Sequence, residues 1–340
     1  MSKSLSLIDK LSAGSIEAKR FSVEAIDTES KRLTDAAVSD NTVKTYSNGV
    51  RQYLNEGFFF PAKTKDIIDF ITILSLKELS ASTARTYVSS VISYHESLGF
   101  NPPNRLEIRT KLKGFTRTSK AVEKKGAQLT QDEVLKIVIY LKSKNTPEII
   151  RNRALFLTML WTLCRTDEVA RMSFEGTEIL DNQVNLKIHG SKTHAGLINK
   201  EIPKLSGGDN EVLNAICPVD ALNAYFEACP YKNDGLFKKM NRAGKFSDQG
   251  IKARSIRNII LNILTSAGID EARAKSINGH SLRHTIATFA NQINLSTLSI
   301  KNLGNWKSDS AVAVYAGSHT INSINEIASW LSKDTHNKRG

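Results

Sequence analysis

Four short stretches of this chain carry polar residues whose types and spacing could do chemistry. In LWTLCRTDEVARM, Arg165 follows a dozen mostly apolar positions, and Glu168 stands three residues later, on one face of a helix. A guanidinium at the end of a buried helix needs an anionic partner, because burying it unpaired is expensive. These residues alone leave two accounts open, a structural Arg165–Glu168 pair or a seat for an external anion. In HGSKTHAG, Lys192 falls at the tip of a predicted β-hairpin, where a lysine is usually only solvated. The GSKT string lacks the Gly-Lys-Thr order and the upstream glycine of a phosphate loop, which excludes that kind of nucleotide site. In GHSLRHTIATFANQ, the spacing puts His280 and Arg283 together at one end of a helix. His280 and His284 would suit zinc, but the Glu of H-E-x-x-H is absent, so no metal is expected. Finally, LGNWKSDSAVAVYAGSH holds Trp306 and Tyr315, aromatics whose commoner fate is core packing.

Singly these signals are weak; in combination they are not. Arg165-Thr-Asp-Glu168, Lys192, His280-Ser-Leu-Arg283, Trp306 and, nine residues later, Tyr315 follow one another along the chain. This order and approximate spacing resemble the tyrosine recombinase (phage integrase) family: R-x-x-E, a hairpin Lys, H-x-x-R, His or Trp, then Tyr. The catalytic resemblance covers residues 130–320, and the N-terminal part matches in kind, by length and helical pattern. Trp306 in place of His, the total length, the SKT around Lys192 and the GHS before Arg283 look like the Cre branch. His284 directly after Arg283 departs from that branch and is common elsewhere in the family.

The resemblance implies a role for each residue. Arg165 and Arg283 would grip a phosphodiester with charge-assisted hydrogen bonds, and the Trp306 indole N–H would add a donor. Tyr315 would attack phosphorus and hold the DNA as a 3′-phosphotyrosine. His280 would serve in acid–base catalysis, Lys192 would protonate the departing 5′-oxygen, and Glu168 would orient the helix that presents Arg165. No metal, cofactor or ATP is implied. The partner would be double-stranded DNA with an inverted-repeat site, bound by a homotetramer that joins two sites through a Holliday junction. The amphipathic stretch NSINEIASWL, residues 322–331, would dock into a neighbouring protomer, with packing on its own domain as the alternative.

Behind these residues the pattern is mainly α with a small β-sheet, an α+β fold. The resemblance adds two domains forming a C-shaped clamp on DNA. Residues 1–116 read as a helical core DNA-binding domain, 117–128 as a basic linker, and 129–340 as the catalytic domain with a C-terminal helix for protomer exchange. In the first, helices are predicted near Ile16–Ile26 and from Thr42, where Val43, Tyr46, Val50, Tyr53 and Leu54 form one apolar face. Others follow over Ile67–Leu74, from Ser80–Ser82 to Gly99, and from Arg105 to Phe115. The basic stretch TRTSKAVEKKGAQ leads to a capping box, Thr130-Gln-Asp-Glu133, that opens the second domain. There, alternation around Val184, Leu186 and Ile188 predicts strands within 182–203. Helical patterns resume at 219–228, 250–267, 281–292, 297–303 and 321–331.

The chain has 340 residues, with 47 Lys and Arg against 34 acids, so a formal charge of +13 favours a polyanionic partner. The DNA contacts expected are Lys44, Arg51 and Arg85 in the bundle, backbone contacts by the linker residues Lys120 and Lys124, and Lys252, Arg254 and Arg257 in SDQGIKARSIRNIILNIL. By resemblance Arg254 stands where an arginine reads a base in the major groove. The alternative for each is a solvated surface charge. Three cysteines without metal spacing argue against a disulfide framework. No secretory signal or membrane span is expected, which points to a cytoplasmic, nucleoid-associated protein of a bacterium, plasmid or phage. Rival readings are a type IB topoisomerase, a repressor on an inactive recombinase fold and a metal-dependent nuclease.

Overall fold

A computed structural model describes residues 40–119, 127–191, 194–205, 207–306 and 320–333. The chain divides into two compact units, Met1–Lys124 and Lys125–Gly340. It is mostly helical with two small sheets.

Among the described residues of the first unit, helices run α1 Asp40–Asn55, α2 Thr64–Leu76, α3 Ala81–Ser97 and α4 Arg105–Thr118. Their common core is Tyr53, Ile67, Phe70, Ile71, Val88, Val91 and Ile108, all buried. Tyr53 anchors it, stacked on Phe58 at 5.0 Å and edge-on to Phe70 at 5.2 Å. Gly49 lets α1 and α3 approach closely, since a Cβ there would lie 2.6 Å from Ser90 Oγ. The apolar face expected on α1 is narrower than its periodicity suggests. Val43 and Leu54 lie at the margins of the stripe, and both are exposed. α4 also runs past Phe115 to Thr118, with the Thr116 and Thr118 hydroxyls bonded back to the Leu112 and Gly114 carbonyls.

The second unit is built around one buried helix. α5 Gln131–Lys142 opens with the expected capping box, Thr130 Oγ1 accepting from Glu133 N and Glu133 accepting from Thr130 N at 2.7 Å. α6 Pro147–Thr162 is capped by Thr146 with proline in its first turn. From Ala154 to Thr162 every residue of α6 is buried, as befits a helix apolar on all sides. After α6 come the short α7 Thr166–Ala170 and an antiparallel sheet of β1 Thr177–Ile179, β2 Gln183–Ser191 and β3 His194–Pro203. Ile188 pairs with Ile198 and Val184 with Ile202, so the inward positions of both strands meet the core.

The chain continues through α8 Glu211–Ile216, α9 Pro218–Ala228, and a second hairpin, β4 Lys238–Met240 with β5 Phe246–Gly250. Then follow α10 Ala253–Ser266, α11 Glu271–Ser276, α12 Gly279–Gln292, α13 Thr297–Gly304 and α14 Thr320–Lys333. β1, β4, β5, α8 and α11 escape periodicity, each too short for a repeat to register. The second hairpin is held at its tip by Asn241, whose Oδ1 accepts from Ala243 N and Lys245 N, while Gly244 takes φ +71°. α14 packs on its own unit, burying Ile324, Ile327, Ala328 and Leu331. Among the described residues no helix is long and apolar enough to cross a membrane.

Candidate active site

The site forms where α6 ends. Leu163 adopts a left-handed conformation, φ +52°, which turns the chain sharply out of the helix. That turn leaves Arg165 as the residue capping α7, with Glu168 one turn in. The Glu168 carboxylate accepts from the Arg165 backbone N–H at 2.7 Å and from its guanidinium at 2.8 Å. Burial alone would raise the Glu168 pKa, but the Arg165 N–H, its guanidinium and the Arg283 charge outweigh it and hold the carboxyl below its usual range. Glu168 is thus a fixed anion that aims a half-exposed Arg165 side chain.

Arg283 approaches from α12, four residues past its start, and is 4% exposed. Its guanidinium donates to the Leu163 carbonyl and, at 2.5 Å, to the Gly304 carbonyl. Two of five donors spent on backbone fix the plane of the group. The Trp306 ring stacks on that plane, 4.2 Å from the guanidinium carbon to the ring centroid. Trp306 is set in place by the end of α13: Asn305 is left-handed at φ +50°, and Trp306 N donates to the Lys301 carbonyl at 3.0 Å. Gly304 is required there, because a Cβ would stand 2.1 Å from the Trp306 ring.

His280 lies in the first turn of α12, which Asn278 caps by accepting from His280 N and Ser281 N. Gly279 brings this turn against α7, since its Cβ would meet Thr166 Cγ2 at 2.2 Å. The residue is exposed, yet protein packed against its ring removes part of its hydration. With the Arg283 and Arg165 charges added, His280 is held below the usual histidine pKa. At neutral pH the ring is therefore unprotonated and able to accept a proton.

Arg165, Glu168, His280, Arg283 and Trp306 thus converge from three helix ends. Two guanidiniums against one carboxylate leave the place suited to a single anionic group. Lys192 and Tyr315 lie outside the described residues, as do Lys120 and Lys124. Lys44 and Arg51 are exposed on α1. Arg85 on α3 is exposed but donates to Thr116 Oγ1 at 2.8 Å, so it already has a partner. Lys252, Arg254 and Arg257 are exposed at the start of α10.

Several groups at the site carry no sequence motif: the Leu163 and Gly304 carbonyls, the Gly279 approach, and Lys200. Lys200, on β3, is 7% exposed and donates from Nζ to the Leu303 carbonyl at 2.5 Å. One signal for it was available, because it shares the inward phase of Ile198 and Ile202. Cys164 is buried beside this cluster, and burial pushes its thiol pKa up.

Comparison with known proteins places this geometry. Residues 127–320 match the model of the phage integrase family. Among curated proteins, an integrase/recombinase XerD homologue of Selenomonas ruminantium is 22% identical over 301 residues, covering 86% of each chain. The tyrosine recombinase XerD of Oceanobacillus iheyensis is 24% identical over 268 residues, 75% of this chain and 80% of that one. The fold is similar to a lambda integrase dimer bound to a COC′ core site, with TM-score 0.57, 17% identity, and 85% and 93% of the two chains covered. It is also similar to the XerH recombinase bound to a palindromic difH substrate, with TM-score 0.55, 16% identity, and 87% and 78% covered. The chain therefore belongs to the phage integrase family and is a tyrosine site-specific recombinase.

Proposed function

We propose that this recombinase cuts and rejoins double-stranded DNA at an inverted-repeat site through a 3′-phosphotyrosine on Tyr315, without metal or ATP. The observation that carries the reading is the convergence of Arg165 and Arg283, each held by fixed backbone or carboxylate partners, with His280 beside them. Rigid cations aimed at one point stabilise the charge that spreads over a phosphoryl group under attack, and they need no reorganisation to do so. Trp306 holds the Arg283 plane and offers its indole N–H to a phosphate oxygen.

A tyrosine phenol has a pKa of about 10, so only about one in a thousand is ionised at neutral pH. His280, unprotonated there, accepts the phenolic proton as Tyr315 attacks phosphorus. Lys192, which follows β2 in the sequence, donates a proton to the departing 5′-oxygen. The phosphotyrosine conserves the bond energy, so a 5′-hydroxyl can reverse the step on either strand. Two such exchanges through a Holliday junction require four protomers on two sites. The fold is shared with a lambda integrase tetramer bound to a Holliday junction (TM-score 0.54, 18% identity), which supports this assembly.

We further propose that the two units are a DNA-binding helical domain and a catalytic domain joined by a basic linker. Lys44, Arg51, Lys252, Arg254 and Arg257 would contact DNA, with Arg254 as the candidate base reader. Arg85, Lys120 and Lys124 would touch backbone phosphates. α14 would pass to a neighbouring protomer during synapsis, leaving the seat it occupies in the single chain.

The test uses DNA flanking the protein's own gene, presented as nicked duplexes. A cut leaving the protein on the 3′ end and a free 5′-hydroxyl is expected. A free 3′-hydroxyl with the protein on the 5′ end would contradict the polarity of the proposal.

A further inference from the structure

We infer that Lys200 is a positioning residue for strand cleavage, a buried cation that clamps the carbonyl end of α13 and so sets Trp306 against Arg283. The inference rests on the functional reading above. Three carbonyls at the end of α13 accept from groups beyond the helix. Lys301 O accepts from Trp306 N, Leu303 O from Lys200 Nζ, and Gly304 O from Arg283. Two of the three donors are basic side chains arriving from distant elements, β3 and α12. The end of a helix carries partial negative charge, so it is a natural seat for cations. Nowhere else in the second unit do two buried cations hold adjacent carbonyls among the hydrogen bonds described.

The placement is costly, which is why it calls for an account. An ammonium at 7% exposure loses most of its hydration, and burial, with the nearby Arg283 charge, lowers its pKa. Arg283 and Lys200 are like charges, and a shared helix end holds them together in one cluster with Glu168 nearby. Lys200 stands on β3, the strand that begins two residues after Lys192 in the sequence. Its Nζ is engaged by the Leu303 carbonyl inside the core.

If Lys200 acts through Trp306, its loss should matter far less once Trp306 is gone. The experiment compares wild type, Lys200→Met and Lys200→Arg, each with and without Trp306→Phe, for adduct formation on saturating nicked DNA. DNA affinity and thermal melting are measured in parallel. Expected are a loss of about 30-fold in rate for Lys200→Met, less than about 2-fold in affinity, and only about 3-fold in the Trp306→Phe background. Lys200→Arg, which keeps a cationic donor, should recover most of the rate.

A Lys200→Met protein that cleaves like wild type would overturn the inference. So would an equal loss in both backgrounds, or a loss confined to DNA affinity. Should Lys200→Met fail to fold, Lys200→Gln takes its place in the same comparison. Failure of both to fold would mean a purely structural lysine and would also overturn the inference. A wild-type protein that forms no adduct strikes the functional reading itself, whereas a wild-type adduct with indifferent Lys200 variants strikes only this inference.

Discussion

At the scale of single residues, the site works by making protonation states and donor directions fixed before substrate arrives. Glu168 is the anchor. Its folded pKa lies below the unfolded value, so its contribution to stability is full above the ordinary carboxyl pKa of about 4.3. That contribution is lost as pH falls through the lower folded value. Glu168→Gln should therefore melt at a lower temperature than wild type at pH 7, with the gap closing as both are acidified toward pH ~3. A gap independent of pH would mean the carboxylate charge is not what holds Arg165. His280 is shifted in the same direction, but there the shift favours the neutral form. Its folded pKa is depressed, so acid must protonate a ring that the arginines oppose. Cleavage at subsaturating DNA should fall off only below the ordinary histidine pKa of about 6.5, and His280→Asn should lower the rate and erase that acid limb. An acid limb that survives the substitution belongs to another group.

The i,i+3 motifs at Arg165 and His280 are legible in the sequence because one helical turn determines their geometry. The groups that hold Arg283 are not legible in this way. They are backbone carbonyls of Leu163 and Gly304, 120 and 21 residues away, and any residue type has a carbonyl. Lys200 stood in plain view as a polar residue in an inward strand phase, a signal that hairpin patterning alone passes over.

At the scale of elements, catalysis depends on how closely helix ends approach. Gly279 lets the first turn of α12 sit against α7, and the atom it would strike is one methyl, Thr166 Cγ2. Gly279→Ala should lower cleavage by about 10²-fold, since a misplacement of about 1 Å is costly at a reacting centre. Thr166→Ser removes that methyl and should restore most of the rate in the double variant. No recovery would mean the alanine acts elsewhere, for instance on the start of α12 itself. The long helices were legible from periodicity and caps, Thr130 and Ser80 among them. The β4–β5 hairpin and α11 were not, because three to six residues cannot display a repeat.

At the scale of the whole molecule, the charge of +13 favours a polyanionic partner bound in a salt-sensitive way. DNA affinity should fall steeply and log-linearly with salt, by a slope near −0.9 per phosphate neutralised. If Lys252 contacts a phosphate as proposed for DNA binding, Lys252→Ala should reduce that slope by about one while weakening all sequences alike. Arg254→Ala should instead narrow the gap between specific and nonspecific DNA by about 1–3 kcal/mol. An unchanged gap would make Arg254 a backbone contact.

The central claim is that Tyr315 becomes covalently joined to DNA without a metal. The most direct measurement mixes nicked DNA from around the protein's gene with wild type and with Tyr315→Phe, both in EDTA, and resolves SDS-resistant protein–DNA adducts. An adduct is expected with wild type only, with DNA binding retained by both proteins. An adduct formed equally by Tyr315→Phe, or tight specific binding by wild type with no adduct, would contradict that claim.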